Sequence, residues 1–413
     1  MPEQANAKRD TDQECGVIGA YVDSFGAYLA ACGYAGGTIQ SQRKLLGHFN
    51  EWLIRRRCAI HQLNDELVAA FLKRCTRRGR LHRGDANTLR QFLIHLQTRG
   101  VLPPLATVVD DSPVGQLRRE YAQYLTAERG LAPVTVSSYV DVLGRFLGDQ
   151  FDDSPLDFGA LTVSTITTFV IRQARTMSPR YAQGIVSALR SICRFLRQRG
   201  AIDRDLAAAL PSVSDWRLAT IPKYLNPEEV ERVLQTCDRH TAVGRRDYAI
   251  LLLLARLGLR AGEIIALELE DIRWRAGEIL VRSSKRLPQD RLPLVADVGD
   301  ALATYLRRDR PPHATRRVFL CTRAPRRGFG NPSTVSAIVR RALARAGLSP
   351  ALKGAHLFRH SLATRMLRHG ASLPEIGVVL RHRAVQTTEI YAKVDLDTLR
   401  ALAHRWPETG GQR

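Results

Sequence analysis

The feature that most limits how this chain can fold is a duplication in its first half. Tyr28-Leu29 is followed by Thr38 and then by Leu46-Gly47-His48-Phe49. Further on, Tyr124-Leu125 is followed by Thr135 and then by Leu143-Gly144-Arg145-Phe146. Leu63 and Phe71 return as Leu161 and Phe169, and Leu89-Arg90 with Arg99-Gly100 returns as Leu189-Arg190 with Arg199-Gly200. The offset between the copies drifts only from about 96 to about 100 positions, so this much matching describes one small domain built twice.

The copies read as helical. Leu45, Leu46, Phe49, Trp52 and Leu53 recur at the spacing of one helix face. Each copy is expected to hold four helices, the first pair of copy one lying at about 17–31 and 38–56. Gly100 and Gly200 end apolar, arginine-rich segments and are expected to stop helices. Two helical domains are therefore placed at 15–104 and 112–211, after a polar segment, 1–14, expected to be disordered. Asp110-Asp111-Ser112-Pro113 is the expected linker between them, and Pro211 to Pro222 the linker to a third domain, 222–413.

The third domain reads as mostly helical with a small sheet, which makes the whole chain mainly α. Asn226-Pro227-Glu228-Glu229 has the form of a helix start, a capping asparagine followed by proline and two acids at the positive end of the dipole. Tyr248 to Leu257 is a strongly apolar helix. Strands are expected at Asp271 to Trp274 and Glu278 to Arg282, around Ala276-Gly277, then at Arg291 to Leu294 and at Val318 to Cys321. Helices follow from about Ser333.

Charge narrows the partners. Lys plus Arg number 62 against 40 Asp plus Glu, a formal net charge of +22 in 413 residues. Arginine carries most of the excess, and guanidinium groups grip phosphates in a fork that lysine does not offer. Nucleic acid is the polyanion such a chain is expected to meet. A membrane is not expected, because no apolar run reaches the roughly 20 residues that span a bilayer. The seven cysteines, Cys15, Cys32, Cys58, Cys75, Cys193, Cys237 and Cys321, form no CxxC pair, and no N-terminal signal peptide is visible. They point to a reduced, cytoplasmic protein whose cysteines fill cores.

Chemistry gathers in the third domain. His356-Leu357-Phe358-Arg359 is followed by His382, in Leu380-Arg381-His382, and nine residues later by Tyr391. Upstream stands Gly258-Leu259-Arg260-Ala261-Gly262-Glu263, and Lys285 lies between the second and third expected strands. His356 and His360 are four apart on a helix, but they lack the glutamate of an HExxH pair and a third ligand, so no metal site and no cofactor is expected.

In order and spacing these residues resemble the tyrosine recombinases, or phage integrase family. The family's first arginine and the acid three residues on fall on Arg260 and Glu263, its hairpin lysine on Lys285, its His-x-x-Arg box on His356 and Arg359, its late histidine on His382 and its nucleophile on Tyr391. The resemblance covers the third domain fully and extends, on fewer positions, to 112–211 as a core-binding domain. It implies an α+β catalytic domain preceded by two helical DNA-binding-type domains, clamped around DNA. The Leu-Arg-His-Arg and Tyr-Ala-Lys-Val-Asp stretches are also similar to recombinases of transposable elements.

The residues carry the implied chemistry on physical grounds. Arg260 and Arg359 can each donate two hydrogen bonds to non-bridging phosphate oxygens, a stabilisation that grows as the transition state gathers charge. Tyr391, with a reference pKa of about 10, needs a proton acceptor and nearby cations to become a nucleophile. His356 is a candidate base or phosphate donor, and His382 a candidate phosphate donor and positioner. Lys285 is a candidate acid for the leaving 5′ oxygen, and Glu263 a group that orients the others.

Two positions depart from the family's pattern. Arg381 stands where glycine is usual before the late histidine, and Ser284 and Arg286 flank Lys285 in place of glycines. The resemblance implies a 3′-phosphotyrosine, strand exchange between two duplexes, and a homotetramer on two DNA sites, with sister recombinases or accessory proteins as further partners. It implies no ATP or metal, since the bond energy is conserved, and a bacterial, nucleoid-associated location. The tail from Asp395 to Trp406 has Leu396, Leu399 and Leu402 at helical spacing, which suits docking on a neighbouring subunit or on its own domain. Copy one, with Arg55-Arg56-Arg57, Lys73-Arg74 and Arg77-Arg78-Gly79-Arg80, is expected to contact DNA as well. Two other functions remain open from the sequence: a catalytically silent DNA-binding regulator on the same fold, and a strand transferase like type IB topoisomerases or telomere resolvases.

Overall fold

The structure is a computed structural model that describes residues 3–79, 81–103, 110–151, 155–212, 222–282, 290–382 and 384–394, with side chains from residue 17 onward except at Val385. Its contacts divide the chain into two compact units, Met1–Leu102 with Thr220–Arg413, and Pro103–Ala219.

Copy one consists of α1 (Glu3–Ala31), α2 (Gly36–Arg55), α3 (Asp65–Arg77) and α4 (Asp85–Thr98). Helix α1 begins well before residue 15, so the backbone is helical through most of the segment expected to be disordered. Its Ala, Gln, Glu, Lys and Arg residues lose little rotamer freedom in a helix, which favours extension despite the polarity. Leu46, Phe49, Trp52 and Leu53 on α2 are buried with Phe71 and Phe92 in a single apolar cluster.

Copy two repeats the plan with α5 (Pro113–Gln123), α6 (Pro133–Phe151), α7 (Val163–Ala174) and α8 (Pro179–Gln198), then a short α9 (Leu206–Ala209). Even the single 3-10 turn before the third helix recurs, at Ile60–Gln62 and Phe158–Ala160. Gly100 and Gly200 have φ of 72° and 73°, the left-handed conformation that glycine adopts without a Cβ clash. Ser112 and Pro113 open α5 rather than link domains: the Ser112 hydroxyl accepts from Gly115 N at 3.0 Å, and the proline takes the first helical turn. The second expected linker lies largely outside the described residues.

The last part of the chain is built on α10 (Pro227–Gln235), α11 (Ala242–Leu257) and α12 (Ala261–Ala266), followed by a sheet and then α13 (Ala296–Arg308), α14 (Ser333–Arg345), α15 (His356–Arg368) and α16 (Leu373–Val379). Asn226 caps α10 as its sequence predicts, accepting from Glu229 N at 2.7 Å while Glu229 accepts from Asn226 N at 2.9 Å. Ile250 to Leu254 are fully buried, so α11 is apolar on every side and forms the axis of this core. The sheet is antiparallel in the order β1 (Ile272–Arg273), β2 (Glu278–Val281), β3 (Asp290–Pro293), with Ile279 opposite Leu292.

The expected strand at Val318 to Cys321 is corrected by the structure. Val318, Phe319 and Leu320 are buried, but only an isolated bridge from Leu320 to Gly328 forms there. Stacking of Phe319 on Tyr305 at 5.7 Å and a bond from Leu320 N to the Tyr305 hydroxyl occupy the segment instead. Apolar content followed from burial, not from pairing. Among the described residues no helix is long and apolar enough to cross a membrane.

Candidate active site

The site forms where three chain reversals meet the start of α15. The first is the turn between α11 and α12. Gly258 closes α11 with φ 58°, and a Cβ there would lie 2.8 Å from Leu380 and 2.9 Å from Leu362. Both the backbone angle and the close packing require glycine. The turn delivers Arg260 to the N-terminal end of α12, where Arg260 N donates to Glu263 Oε2 at 2.8 Å and Arg260 Nη1 to Glu263 Oε1 at 2.7 Å. Burial alone would raise the Glu263 carboxyl, but Arg381 and the Arg260 hydrogen bonds outweigh it and hold the group ionised below its ordinary range.

The second reversal ends α16. Arg381 N donates to Val378 O and His382 N to Gly377 O, both at 2.9 Å, which is a Schellman closure with Arg381 in the left-handed position, φ 54°. That angle explains why a glycine is expected there, and the Arg381 side chain shows what the replacement does. It is 6% exposed and pairs with Glu263 Oε2 at 2.9 Å, while its carbonyl accepts from Arg260 Nη2 at 3.0 Å. Its Nε lies 3.9 Å from Asp290 at the start of β3.

Arg359 projects from α15 into the gap between these turns. It is 4% exposed, and its two Nη groups donate to Gly258 O, at 2.5 Å, and to Leu380 O. Burial, with Arg260 and Arg381 nearby, lowers its pKa to about 9, so it remains a cation at neutral pH. Three guanidinium groups thus surround one carboxylate, a net positive site suited to an anion.

The third reversal, Glu389–Val394, returns Tyr391 to the cluster of Leu362, Ala363, Ile376 and Leu380. Tyr391 is 1% exposed, and its hydroxyl shares a 2.9 Å hydrogen bond with His360 Nδ1. Burial pushes the phenol up to about 12, against the opposing pull of Arg359. The His382 ring lies parallel to the Tyr391 ring at 6.4 Å, and its Nδ1 shares a 2.7 Å bond with the Thr388 hydroxyl. Burial lowers both imidazoles to about 4, helped at His360 by His356 and Arg359 and at His382 by Arg359 and Arg260. Both are neutral at pH 7.

Of the residues singled out in the sequence, Arg260, Glu263, Arg359, His382 and Tyr391 therefore converge. His356 begins α15, exposed, with its ring centre 6.5 Å from that of His360. Lys285 and the tail with Leu396, Leu399 and Leu402 lie outside the described residues. His360 is the functional candidate that the sequence reading passed over. Its only signal was a position four residues after His356, on the same helix face.

The family model described as the Phage integrase family matches residues 223–397. A putative integrase/recombinase, y4rA, of Sinorhizobium fredii is 42% identical over 394 residues, 95% of each chain. The tyrosine recombinase XerD of Mycobacterium tuberculosis is 31% identical over 300 residues, 68% of this chain and 93% of that one. Among solved structures, the XerH site-specific recombinase bound to its palindromic difH substrate in a post-cleavage complex aligns with a TM-score of 0.56. That match has 19% identity and covers 77% of this chain and 94% of that one, a likeness of fold.

Proposed function

We propose, from the premise that this chain belongs to the phage integrase family of tyrosine recombinases, how its own residues carry out site-specific DNA strand exchange. The enzyme is a tyrosine-type site-specific DNA recombinase. Tyr391 Oη attacks the scissile phosphorus, the bond to the 5′ oxygen breaks, and a 3′-phosphotyrosine and a 5′-hydroxyl result. The 5′-hydroxyl of a partner strand then reverses the step. One phosphoester replaces another at each stage, so no outside energy source is required.

Arg260 and Arg359 hold the non-bridging oxygens, with Glu263 and Arg381 fixing the direction of Arg260. The observation that carries this reading is the convergence of Arg260 and Tyr391, from two separate reversals, with Arg359 from α15. His382 packs on the face of the phenol and positions it, His356 stands at the exposed rim as a phosphate donor, and Lys285 protonates the leaving oxygen. Copy two is the core-binding domain. Copy one adds phosphate contacts through the exposed Arg55, Arg56 and Arg57 at the end of α2. The match to XerD leaves about a third of this chain without a counterpart. The enzyme works as a homotetramer on two DNA sites of a mobile element, in the bacterial cytoplasm.

A nicked suicide substrate tests this. The wild type is expected to accumulate a covalent adduct on a denaturing gel and Tyr391→Phe none; an adduct in that variant refutes the nucleophile. Joining between two duplexes separates recombination from topoisomerase-like resealing, and an inert wild type would mark a regulator. Deleting residues 1–110 is expected to shorten the DNA footprint; an unchanged footprint removes copy one from DNA binding.

A further inference from the structure

We propose that His360 is the proton acceptor for the nucleophile: its Nδ1 takes the Tyr391 proton as Oη bonds to phosphorus and returns it when that bond is broken. The inference rests on the assignment of Tyr391 as nucleophile and deepens it.

Geometry comes first. Nδ1 lies 2.9 Å from the phenol oxygen, within the reach required of a general base. The other imidazoles are placed for different work. His382 meets Tyr391 ring face to ring face and engages Thr388 through Nδ1, while His356 is a full helical turn back from His360. With the phenol as donor, Nδ1 is the acceptor and His360 is the Nε2–H tautomer. The backbone behind it is fixed. The next residue, Ser361, is buried, and its hydroxyl accepts from Leu225 N at 2.8 Å. Arg359 is the residue before, about 100° around the helix. The phosphate clamp and the base therefore approach Tyr391 from different sides of one rigid turn.

Electrostatics then set the timing. Among the described residues, His356 and Arg359 on α15, and His382 and Tyr391 from the segments packed against it, are the charged or titratable groups around His360. A phenol pushed up to about 12 does not hand its proton to an imidazole lowered to about 4 ahead of the reaction. A phosphodiester seated on Arg359 offsets the cation that depresses His360 and raises its basicity. The phenol becomes more acidic as the new bond to phosphorus forms, and the proton moves in that interval. The balance closes: Oη–P forms, P–O5′ breaks, the phenol proton goes to Nδ1, and the leaving oxygen takes a separate proton from Lys285. The reverse attack by a 5′-hydroxyl sends each proton back.

The test is single-turnover cleavage of a nicked suicide duplex by His360→Gln and His360→Asn, with DNA binding and melting temperature measured alongside. Cleavage is expected to fall on the order of 100-fold with binding unchanged. A 5′-bridging phosphorothiolate, whose sulfur leaves without a proton, is expected to restore Lys285→Ala but not the His360 variants. Cleavage within about threefold of wild type overturns the proposal. So does faster cleavage, which would make the contact a latch, or restoration by sulfur, which would put His360 on the leaving group. If both variants lose their fold, the wild-type rate decides: it is expected to fall as pH drops from about 6.5 towards 4, and a flat profile refutes the role. An adduct in Tyr391→Phe would instead remove the underlying assignment, so the two failures are distinguishable.

Discussion

Phe146 in copy two and Tyr391 in the catalytic region are equally deep, each 1% exposed. Phe146 meets Phe169 edge to face at 5.3 Å, among Leu143, Leu147 and Leu189. Tyr391 meets His360 edge to face at 5.7 Å, with His382 parallel on its ring and Arg359 close enough to act on its charge. Burying the first ring returns hydrophobic free energy and desolvates no polar group. Burying the second desolvates a phenol, which costs free energy unless a partner accepts its hydrogen bond. Depth alone does not separate a core from a site; the neighbours do.

The sharpest way to break this contrast is to remove one atom from Tyr391. Tyr391→Phe is expected to abolish adduct formation, a loss of at least about 1,000-fold, while urea unfolding shifts by only about 1 kcal/mol for the lost hydrogen bond. Phe146→Ala is expected to do the reverse. Unfolding should be easier by about 3–5 kcal/mol, with cleavage per folded molecule at low temperature unchanged. If Phe146→Ala slowed cleavage as severely as Tyr391→Phe, the division of labour would be wrong.

A smaller effect is expected at Arg381. Arg381→Gly relieves the left-handed backbone but removes the partner of Glu263, so stability should stay within about 1 kcal/mol while suicide cleavage slows about 10-fold. Arg381→Lys should recover part of the rate; equal rates for all three proteins would reduce the side chain to a bystander. The last effect concerns acid. His360 and His382 titrate near 4 when folded and near 6.5 when not, so the unfolded chain binds more protons between those values. Stability from this region is full above pH 6.5 and lost as pH falls through 4. Urea midpoints across that window should flatten in His360→Asn/His382→Asn and stay parallel to wild type in Phe146→Ala.

The same contrast explains what was legible in the sequence. The helices of both copies follow apolar periodicity, and the Asn226 helix start follows from local chemistry acting over a few residues. Arg381 stood out because glycine is usual there in the family that the chain resembles, and the structure supplies the reason, a left-handed helix end. Val318 to Cys321 misled, since an apolar run reports burial and not the partner that buries it. His360 stayed hidden for a related reason. Its role depends on Tyr391 returning 31 residues later, and no periodicity carries a distance across a chain reversal.

Arg359 joins the two kinds of region in one side chain. Its guanidinium holds the carbonyls of Gly258 and Leu380, which belong to two turns that exist only in the folded domain. A copy still on the ribosome, or one damaged at either turn, would leave that cation pointing elsewhere. For an enzyme that breaks and rejoins DNA strands, such dependence is a safeguard: competence to cut arises together with correct folding.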